Sequence, residues 1–548
     1  MKQYFNSFKK PILAILAICL FVSCADTWDD HYKIDTSVVP KQTLLGRLES
    51  DPDFSNFVEV LKTTKIFNGK KITDINYSEL LDADQFFTVW APENSAISAD
   101  LWDQYTKENK TRQENYDVEQ MFLKNHIARF SHPVGASTNK SISMLSEKVY
   151  RMNLTTIAGV PIDVQSFNLA AMNGVIHKIS GRIEYNMNLY ERLTTDLNFN
   201  LLGKYFAKYM EEELDEDKSV SAGIVDGEKV YIDSVIIERN ILMDKYGFIN
   251  SEDSNYVIVV PDSMAWRNAL NEVLPYYDYG YIEGKDSFQQ FWANNVLLTD
   301  MFYNMNLQKS PIDSVTSMLY DERYARSYSK IYHTYYRPYD VGGLFHGAEE
   351  INCSNGIIYK TDTWRFDPYH TYFLPIAREA EREASRIVNE TLCTAFSVTI
   401  NSPKISENRI LRIKGVNTTA RWDVKFGIPG TLAGKYKISA VILPNNYTGE
   451  VDIAKPNKFV ATITYRDKDG SLLVSQCPDD RGRPTKFVND ENKIDTVMLD
   501  TITFPTCNFA QDTPNVTVEL KIDMLSSETR KYSNIMYLDC IYLEPIKE

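Results

Sequence analysis

Residues 86–97 of this chain read FFTVWAPENSAI, and residues 256–266 read YVIVVPDSMAW. Each stretch is a short apolar run that ends at a proline and continues into polar residues. A run of this length, rich in β-branched and aromatic residues, is typical of a buried strand. Proline has no N–H to donate to a sheet, so it ends the strand and lets a helix begin. Both stretches therefore predict the same unit, a strand followed at once by a helix.

The spacing of a second block repeats as well. Pro92 and His126 are 34 residues apart, and Pro261 and Asn295 are separated by the same distance. The block around His126 reads FLKNHI, and the block around Asn295 reads FWANNV. An equal spacing between two matching blocks is typical of a duplicated domain.

A third block closes each copy, reading NGVIHK from Asn173 and NGIIYK from Asn355. Asparagine and glycine both tolerate positive φ angles, so this pair predicts a tight turn that leads into a buried strand. Three blocks in one order predict a domain duplication, with one copy over residues 40–185 and the other over 190–365.

The three blocks resemble the fasciclin (FAS1) family, whose first motif reads like F-T-V-F-A-P-T-N-x-A-F and whose last reads N-G-V-I-H-V-I-D. The first copy also carries the family's Leu-x-x-His-Ile element, from Leu123 to Ile127. The second copy is degenerate, since Asn295 replaces the motif histidine and Tyr359 stands where the first copy has His177. The resemblance implies tandem α+β FAS1 domains and a role in cell adhesion and protein–protein contact.

The histidines of the first copy have a structural and a functional interpretation. A buried imidazole needs one partner for each ring nitrogen. In an apolar setting such a core histidine is commoner than a ligand or catalytic group. We therefore expect His126 to be buried and hydrogen-bonded within its own domain, and His177 to behave likewise.

The chain begins with a segment that is typical of an export signal. Three lysines precede an apolar run over residues 12–22, which is too short to span a bilayer. The Ser23-Cys24 pair that follows resembles the lipobox of bacterial lipoproteins. The resemblance implies removal of residues 1–23, acylation of Cys24 and a tether over 24–39. The alternative is a secretory signal that is cut elsewhere.

The residues after Cys24 read ADTWDD. Acidic residues at this place resemble the export signal of lipoproteins of the Bacteroidetes type. The resemblance implies a lipid anchor in the outer membrane, with the protein facing the cell exterior.

Composition limits the classes of partner. A hydrophobic content of 43% is ordinary for a folded chain of several domains. The net charge of −15 argues against nucleic acid, because phosphate binding depends on a surplus of lysine and arginine. No Cys-x-x-Cys pair or Cys/His cluster predicts a metal site, and no motif predicts a cofactor. The remaining cysteines form one disulfide or stay as buried thiols: Cys353, Cys393, Cys477, Cys507 and Cys540.

Two groups of tyrosines stand out in the second copy. One recurs at helical spacing and predicts one face of a helix: Tyr320, Tyr324, Tyr328, Tyr332, Tyr335 and Tyr336. The other follows Pro275 in a loop-like stretch and consists of Tyr276, Tyr277, Tyr279 and Tyr281. Because loops carry function more often than packed elements do, we expect the second group to form an exposed binding surface.

The character of the chain changes near residue 370. Residues 366–390 are charged and predict a linker or short helix. Over 391–548, alternating runs separated by turn signals predict about eight strands and an all-β sandwich. The order of these runs resembles galactose-binding-like jelly rolls, which implies a fold that often binds carbohydrate.

No catalytic motif appears, which favours a binding protein over an enzyme. We expect a non-catalytic surface lipoprotein that binds a glycan, a peptide or a partner subunit of an outer-membrane nutrient uptake system. Two alternatives remain open. One is a glycan-active hydrolase with its site in the C-terminal sandwich, and the other is a purely structural adhesin.

Overall fold

The computed structural model describes residues 40–68, 71–214, 220–225, 228–233, 236–304, 313–320 and 332–547. The predicted signal peptide, the tether and Cys24 lie outside these residues. The chain divides into two compact units, Met1–Asn186 and Met187–Glu548. Within the described ranges, no helix has the length and apolar character that crossing a bilayer requires.

The described residues of the first unit contain five short helices and ten strands. The helices are α1 Leu44–Glu49, α2 Ser55–Thr63, α3 Tyr77–Asp82, α4 Ala99–Thr106 and α5 Arg112–Val118. The strands are β1 Lys65–Asn68, β2 Lys71–Asn76, β3 Phe87–Pro92, β4 Ile127–Arg129, β5 Asn139–Ser143, β6 Val149–Asn153, β7 Thr156–Ile157, β8 Val160–Pro161, β9 Leu169–Ala171 and β10 Gly174–Ile179.

The central sheet of this unit has the strand order β4-β3-β10-β9. Strands β3 and β10 are parallel, with Phe87 opposite Gly174 and Pro92 opposite Ile179. All six residues of β3 are buried, as the apolar run predicts. Helices α1 to α3 supply one side of the core, through side chains such as Leu44 and Phe57.

The second unit begins with the second copy. Its helices are α6 Leu189–Thr195, α7 Asn200–Ala207, α8 Ile241–Tyr246, α9 Ser263–Val273, α10 Lys285–Thr299 and α11 Pro368–Thr371. Its strands are β11 Met210–Leu214, β12 Val220–Val225, β13 Glu228–Asp233, β14 Ile236–Asn240, β15 Tyr256–Pro261, β16 Phe302–Asn304, β17 Ser314–Tyr320, β18 Tyr332–Tyr336, β19 Glu349–Cys353 and β20 Gly356–Thr361.

The central sheet of the second copy can be compared with that of the first. Its sheet runs β16-β15-β20-β19, with β15 parallel to β20 and antiparallel to β16. This is the order of the first copy. The Asn-Gly turn recurs in both copies because no side chain fits at the glycine. A Cβ at Gly174 would lie 1.9 Å from the Phe87 carbonyl oxygen. A Cβ at Gly356 would lie 2.2 Å from that of Tyr256, so each turn requires glycine.

The tyrosine spacing predicts a helix from Tyr320 to Tyr336. The structure describes both ends of this segment, and both are strands. Strands β17 and β18 pair antiparallel there, with Tyr320 opposite Tyr332. Tyr324 and Tyr328 lie outside the described residues. The buried positions alternate along these strands, at Val315 and Ser317 and again at His333. Burial at every second residue, together with β-branched residues, is typical of a strand. This pattern, and not the tyrosine spacing, indicates the observed structure.

The C-terminal region is the predicted all-β sandwich. Its strands are β21 Ile376–Glu379, β22 Arg386–Val388, β23 Cys393–Thr399, β24 Arg409–Gly415, β25 Asp423–Ile428, β26 Gly434–Leu443, β27 Lys458–Arg466, β28 Leu472–Ser475, β29 Phe487–Val488, β30 Asp495–Phe504, β31 Val516–Ile522 and β32 Ile535–Pro545. One sheet has the order β23-β24-β32-β26-β30 with β21 beside β32. The other has the order β22-β25-β31-β27-β28 with β29 beside β27.

The sandwich begins earlier than the sequence predicts. The segment expected to be a linker or helix, 366–390, contains the one-turn helix α11 and the strands β21 and β22. Strand β21 pairs with the last strand, β32, so the charged residues of this segment belong to the sandwich. The guanidinium of Arg378 donates to the carbonyl oxygens of Gly427 and Glu379, which holds the segment in place.

The five cysteines of the described chain are buried thiols. Of the two alternatives, the structure has thiols and no disulfide among them. Burial raises the pKa of the Cys393 thiol to about 11 and that of Cys477 to about 12. These thiols are therefore protonated at neutral pH and act as small apolar side chains.

Candidate functional site: an aromatic cavity in the second copy

The tyrosines predicted to form an exposed surface lie largely inside the second unit. Tyr277 and Tyr279 are each 1% exposed, and Tyr276 is half-buried. Tyr281 alone keeps 40% of its surface exposed, with the Arg466 guanidinium over its ring. The prediction of an exposed binding surface is therefore wrong for Tyr277 and Tyr279.

The reason is that this loop packs against the sandwich. We call residues 276–282 the docking loop. The Tyr277 ring meets Phe509 edge to face at 5.8 Å, and the Tyr279 hydroxyl donates to the Phe509 carbonyl oxygen. The backbone of the docking loop accepts from Ala433 N and Cys507 N. Sequence alone does not indicate which part of the chain covers an aromatic loop.

The histidines of the first copy are structural, as predicted for His126. That side chain is fully buried, and its Nδ1 lies 2.7 Å from the Phe122 carbonyl oxygen. Its Nε2 accepts from the backbone N–H of Ile183. His177 is also buried and lies 3.0 Å from the His132 carbonyl oxygen. Burial lowers the pKa of both imidazoles to about 4, so both are neutral at neutral pH.

A cavity of about 510 Å³ lies elsewhere in the second copy, between helix α9 and the segment that follows strand β20. We call it the Trp364 cavity. The helix begins where it does because the Asp262 carboxylate accepts from the N–H groups of Met264 and Ala265. The helix contributes residues three or four positions apart, which lie on one face: Ala265, Asn268, Ala269 and Glu272.

The other wall of the cavity is the segment from Asp362 to Pro368. Trp364 is half-buried, and its ring is held by Phe366 at 4.7 Å and by Trp266 at 6.3 Å. The guanidinium of Arg365 donates to the carbonyl oxygens of Leu344 and His346, at 3.0 and 2.6 Å. The indole ring is thus fixed by packing, and the segment is fixed by an arginine.

The polar groups of the cavity face solvent. Asn268, Glu272, Asp362, Thr363 and Asp367 are exposed. Within the described residues, no hydrogen bond or ion pair ties the side chain of Asn268, Glu272 or Asp362. The Asp367 carboxylate caps helix α11 by accepting from the N–H of Tyr369. The cavity therefore combines a fixed aromatic ring with an amide and carboxylates that can take a ligand's hydroxyl groups.

The first copy has an arginine at the place that corresponds to Trp364. The strand registers, continued past Ile179 and Thr361, bring Arg182 to the position of Trp364. The Arg182 guanidinium donates to the Tyr105 hydroxyl at 3.0 Å and forms an ion pair with Glu184. This bridge ties the segment to the end of helix α4.

A buried acidic cluster lies at the start of the sandwich. Glu379, Glu381 and Asp539 are each less than a tenth exposed, and the Ser406 hydroxyl lies within hydrogen-bond distance of Glu379 and Asp539. Burial raises the pKa of all three carboxyl groups, that of Glu379 to about 7. In the described part of the chain, no three His, Cys, Asp or Glu side chains are grouped so that they can hold a metal ion.

Phe396 is one of the exposed aromatic side chains of the sandwich. Phe396 is 50% exposed, and the Arg412 guanidinium lies 4.6 Å from the centre of its ring. Arg412 forms an ion pair with Glu450, which also accepts from the Tyr537 hydroxyl. The guanidinium beside Phe396 is thus paired within the protein, whereas the Trp364 cavity offers carboxylates with no such partner among the described residues.

Comparisons with known proteins give the following similarities. No family model matches this chain, and no curated protein matches its sequence. A xylan-binding domain, CBM22-1, from Paenibacillus barcinonensis is 11% identical over 32% of this chain and 95% of that domain, with a TM-score of 0.21. A family 35 carbohydrate-binding module from Clostridium thermocellum is 10% identical over 32% of this chain and 99% of that module, with a TM-score of 0.19.

A larger structure, the CBM22-1 and GH10 modules of a Clostridium thermocellum xylanase with xylohexaose, is similar over a comparable part of this chain. The identity is 10%, the TM-score is 0.22, and the match covers 32% of this chain and 28% of that one.

The sequence contained one signal for the Trp364 cavity that motif reading passes over. Trp364 lies three residues after the end of strand β20, and Arg182 lies at the same distance from the end of strand β10. The difference has meaning only once the two copies are aligned beyond their motifs. The sequence does not indicate that helix α9 forms the other wall of the cavity, because the segment that packs beside this helix is a loop.

Proposed function

We propose that this chain is a lipid-anchored cell-surface protein that binds a glycan in the Trp364 cavity. The observation that carries the proposal is the cavity itself: a fixed indole ring beside solvent-facing carboxylate and amide groups. Sugar rings carry apolar C–H faces that stack on aromatic rings and hydroxyl groups that hydrogen-bond to carboxylates and amides. Pockets with an aromatic wall and a few polar groups are typical of small-ligand sites.

The rest of the proposal concerns the cell. Acylation at Cys24 anchors the chain in the outer membrane, facing the exterior. The two copies form a FAS1 tandem that presents the cavity. The protein then serves as a non-catalytic accessory subunit of an outer-membrane nutrient uptake system, delivering a bound glycan to its transporter.

Glycan binding is tested with the mature chain, purified without its lipid, on an array of plant and microbial polysaccharides. Trp364→Ala should lower the affinity for any captured glycan about tenfold or more, because the stacking surface is lost. Phe396→Ala is the matched control, since it removes an exposed aromatic ring from the sandwich. Binding that survives Trp364→Ala but fails in Phe396→Ala would move the site to the sandwich.

The carboxylates provide a second test of the same site. Glu272→Gln and Asp362→Asn keep the size of each side chain and remove its charge. A neutral glycan should bind these variants only a few-fold more weakly, because an amide still accepts a hydrogen bond. A loss as large as that of Trp364→Ala would instead indicate a cationic ligand, such as a basic peptide.

The anchor is tested independently of the ligand. Cys24→Ala should leave the protein unprocessed or release it from the membrane fraction. If that variant is still acylated and membrane-bound, the lipoprotein assignment is wrong.

A further inference from the structure

Three large apolar side chains lie exposed at one end of the central sheet of the first unit. Phe86 precedes strand β3, Phe130 follows β4 and Met172 lies between β9 and β10; they are 48%, 69% and 54% exposed. The backbone N–H of Phe130 donates to the Phe86 carbonyl oxygen at 2.9 Å. Because the strands are neighbours in the order β4-β3-β10-β9, the three side chains lie together at this end of the sheet. We call this end, with Phe86, Phe130 and Met172, the edge.

The backbone of Phe130 is unusual. Its φ angle is +67°, a left-handed conformation that is uncommon for a bulky residue. The turn is held by Thr88, whose hydroxyl donates to the Phe130 carbonyl oxygen and accepts from the N–H of His132. A strained backbone that keeps a phenyl ring in solvent indicates a use for that ring outside the folded core.

The described chain begins at the same edge. The N–H of Met172 donates to the Gln42 carbonyl oxygen at 2.8 Å, two residues after Pro40. Cys24 precedes Pro40 by sixteen residues, and covalent geometry limits such a stretch to about 55 Å. If Cys24 is acylated, as proposed above, this edge is the part of the first unit whose distance from the bilayer is most restricted by the chain.

The charges around the edge are balanced. Lys41 and Arg129 are exposed on it, and so are Asp82 at the end of helix α3 and Asp84 in the loop before Phe86. A balanced set does not favour a strongly charged protein partner. It suits the zwitterionic headgroups of phospholipid, into which exposed apolar side chains can insert.

We propose that Phe86, Phe130 and Met172 form a membrane edge that inserts into the headgroup region of the bilayer to which the chain is anchored. The contact orients the first unit on the membrane surface. Because it depends on apolar insertion rather than on net charge, the contact should change little with ionic strength.

The test uses the mature chain from Cys24 onward, coupled through that thiol to phosphatidylcholine vesicles that contain maleimide lipid. The other cysteines of the described chain are buried, which directs coupling to Cys24. Phe130→Trp places a fluorophore on the membrane edge. Val164→Trp is the matched control, because Val164 is 50% exposed and lies near the opposite end of strand β10.

Lipids brominated near the headgroup should quench about half of the fluorescence that Phe130→Trp adds, and little of that added by Val164→Trp. Adding Phe86→Ser and Met172→Gln to Phe130→Trp should abolish the difference, with the melting temperature nearly unchanged because the side chains are exposed. Equal quenching of the two tryptophans, or none, would overturn the proposal.

The coupling to vesicles is chemical, so its result does not depend on acylation in the cell. A failure of the Cys24→Ala test described above therefore removes the anchor and leaves the vesicle result as a separate measurement. Loss of a protein partner from the Phe86→Ser variant, without quenching in vesicles, would assign the edge to a protein contact and overturn the membrane assignment.

Discussion

The two copies share a scaffold and differ in what surrounds it. In both, the closing asparagine makes the same three bonds: Asn173 accepts from Leu44 N and donates to the carbonyls of Leu81 and Ala83, while Asn355 accepts from Leu189 N and donates to those of Ile249 and Ser251. His126 and Asn295 both bond to the carbonyl oxygen four residues before them. These hydrogen bonds are therefore kept in both copies, even where the motif side chain differs.

The second copy differs from the first at its docking loop and at Trp364. Its docking loop is buried against the sandwich, so the second copy and the sandwich form one compact unit. Its Trp364 lines a cavity where the first copy has the Arg182 bridge. The comparison shows that two similar scaffolds can keep their internal hydrogen bonds while the loops after their strands and helices make different contacts.

The largest expected effect concerns the docking loop. Tyr277→Ala should lower the free energy of unfolding of the second unit by about 3–5 kcal/mol, the usual cost of truncating a buried aromatic residue. Counted from the prolines, Glu108 holds the corresponding place in the first copy and is exposed, so Glu108→Ala should change stability little. Urea unfolding monitored by tyrosine and tryptophan fluorescence measures both. Equal effects of the two substitutions would show that the loop does not distinguish the copies.

The next effect is the acid sensitivity of the first unit. Its two buried histidines have pKa values lowered to about 4, so the unfolded chain binds more protons than the folded chain between about pH 4 and 6.5. Stability must then fall as the pH falls, by about 2 kcal/mol for each histidine at pH 5. Calorimetry at pH 7.5 and pH 5 should show the first unit losing stability on acidification.

The second copy supplies the control for this pH effect, because Asn295 and Tyr359 replace the two histidines. A His126→Asn/His177→Tyr variant should flatten the pH dependence of the first unit. In the second unit, Glu379 acts with the opposite sign: its pKa is raised to about 7, so its contribution to stability falls as the pH rises from 4.5 to 7. A first unit as stable at pH 5 as at pH 7.5 would contradict the buried, neutral histidines.

A shared feature should give equal effects in the two copies. Asn173→Ala and Asn355→Ala each leave one N–H and two carbonyl groups without their side-chain partner. Each should cost about 1–3 kcal/mol in its own unit, as expected for unpaired buried polar groups. The two substitutions can be compared by thermal unfolding, which should show two similar decreases. A neutral result in one copy only would mean that its turn is held by other contacts.

The smallest expected effect concerns the bridge that the second copy lacks. Arg182→Ala removes a partly exposed ion pair and should cost less than about 1 kcal/mol. It should not create glycan binding in the first copy, because that copy has no tryptophan at the position of Trp364. Melting temperature and the polysaccharide array measure the two outcomes, and a gain of binding would show that the open space alone makes the site.

Much of the scaffold was predictable, because its signals are local. Apolar runs stopped by proline and Asn-Gly turns predicted strands β3, β10, β15 and β20 in the observed order. Eight alternating runs predicted eight of the sandwich strands, since a strand with one buried face alternates wherever it pairs. The prediction of a linker or short helix over 366–390 is wrong, because strands of three or four residues leave too short a pattern.

The site was not predictable in the same way. The sequence by itself determined the duplication, the core strands and the buried His126, because each depends on residues close in the chain or on a repeated spacing. Only the tertiary structure decided that Tyr277 is covered by Phe509 and that Trp364 is left at an open cavity. Exposure is set by which distant segment packs on a side chain, and an aromatic residue gains free energy from burial against whichever apolar surface reaches it.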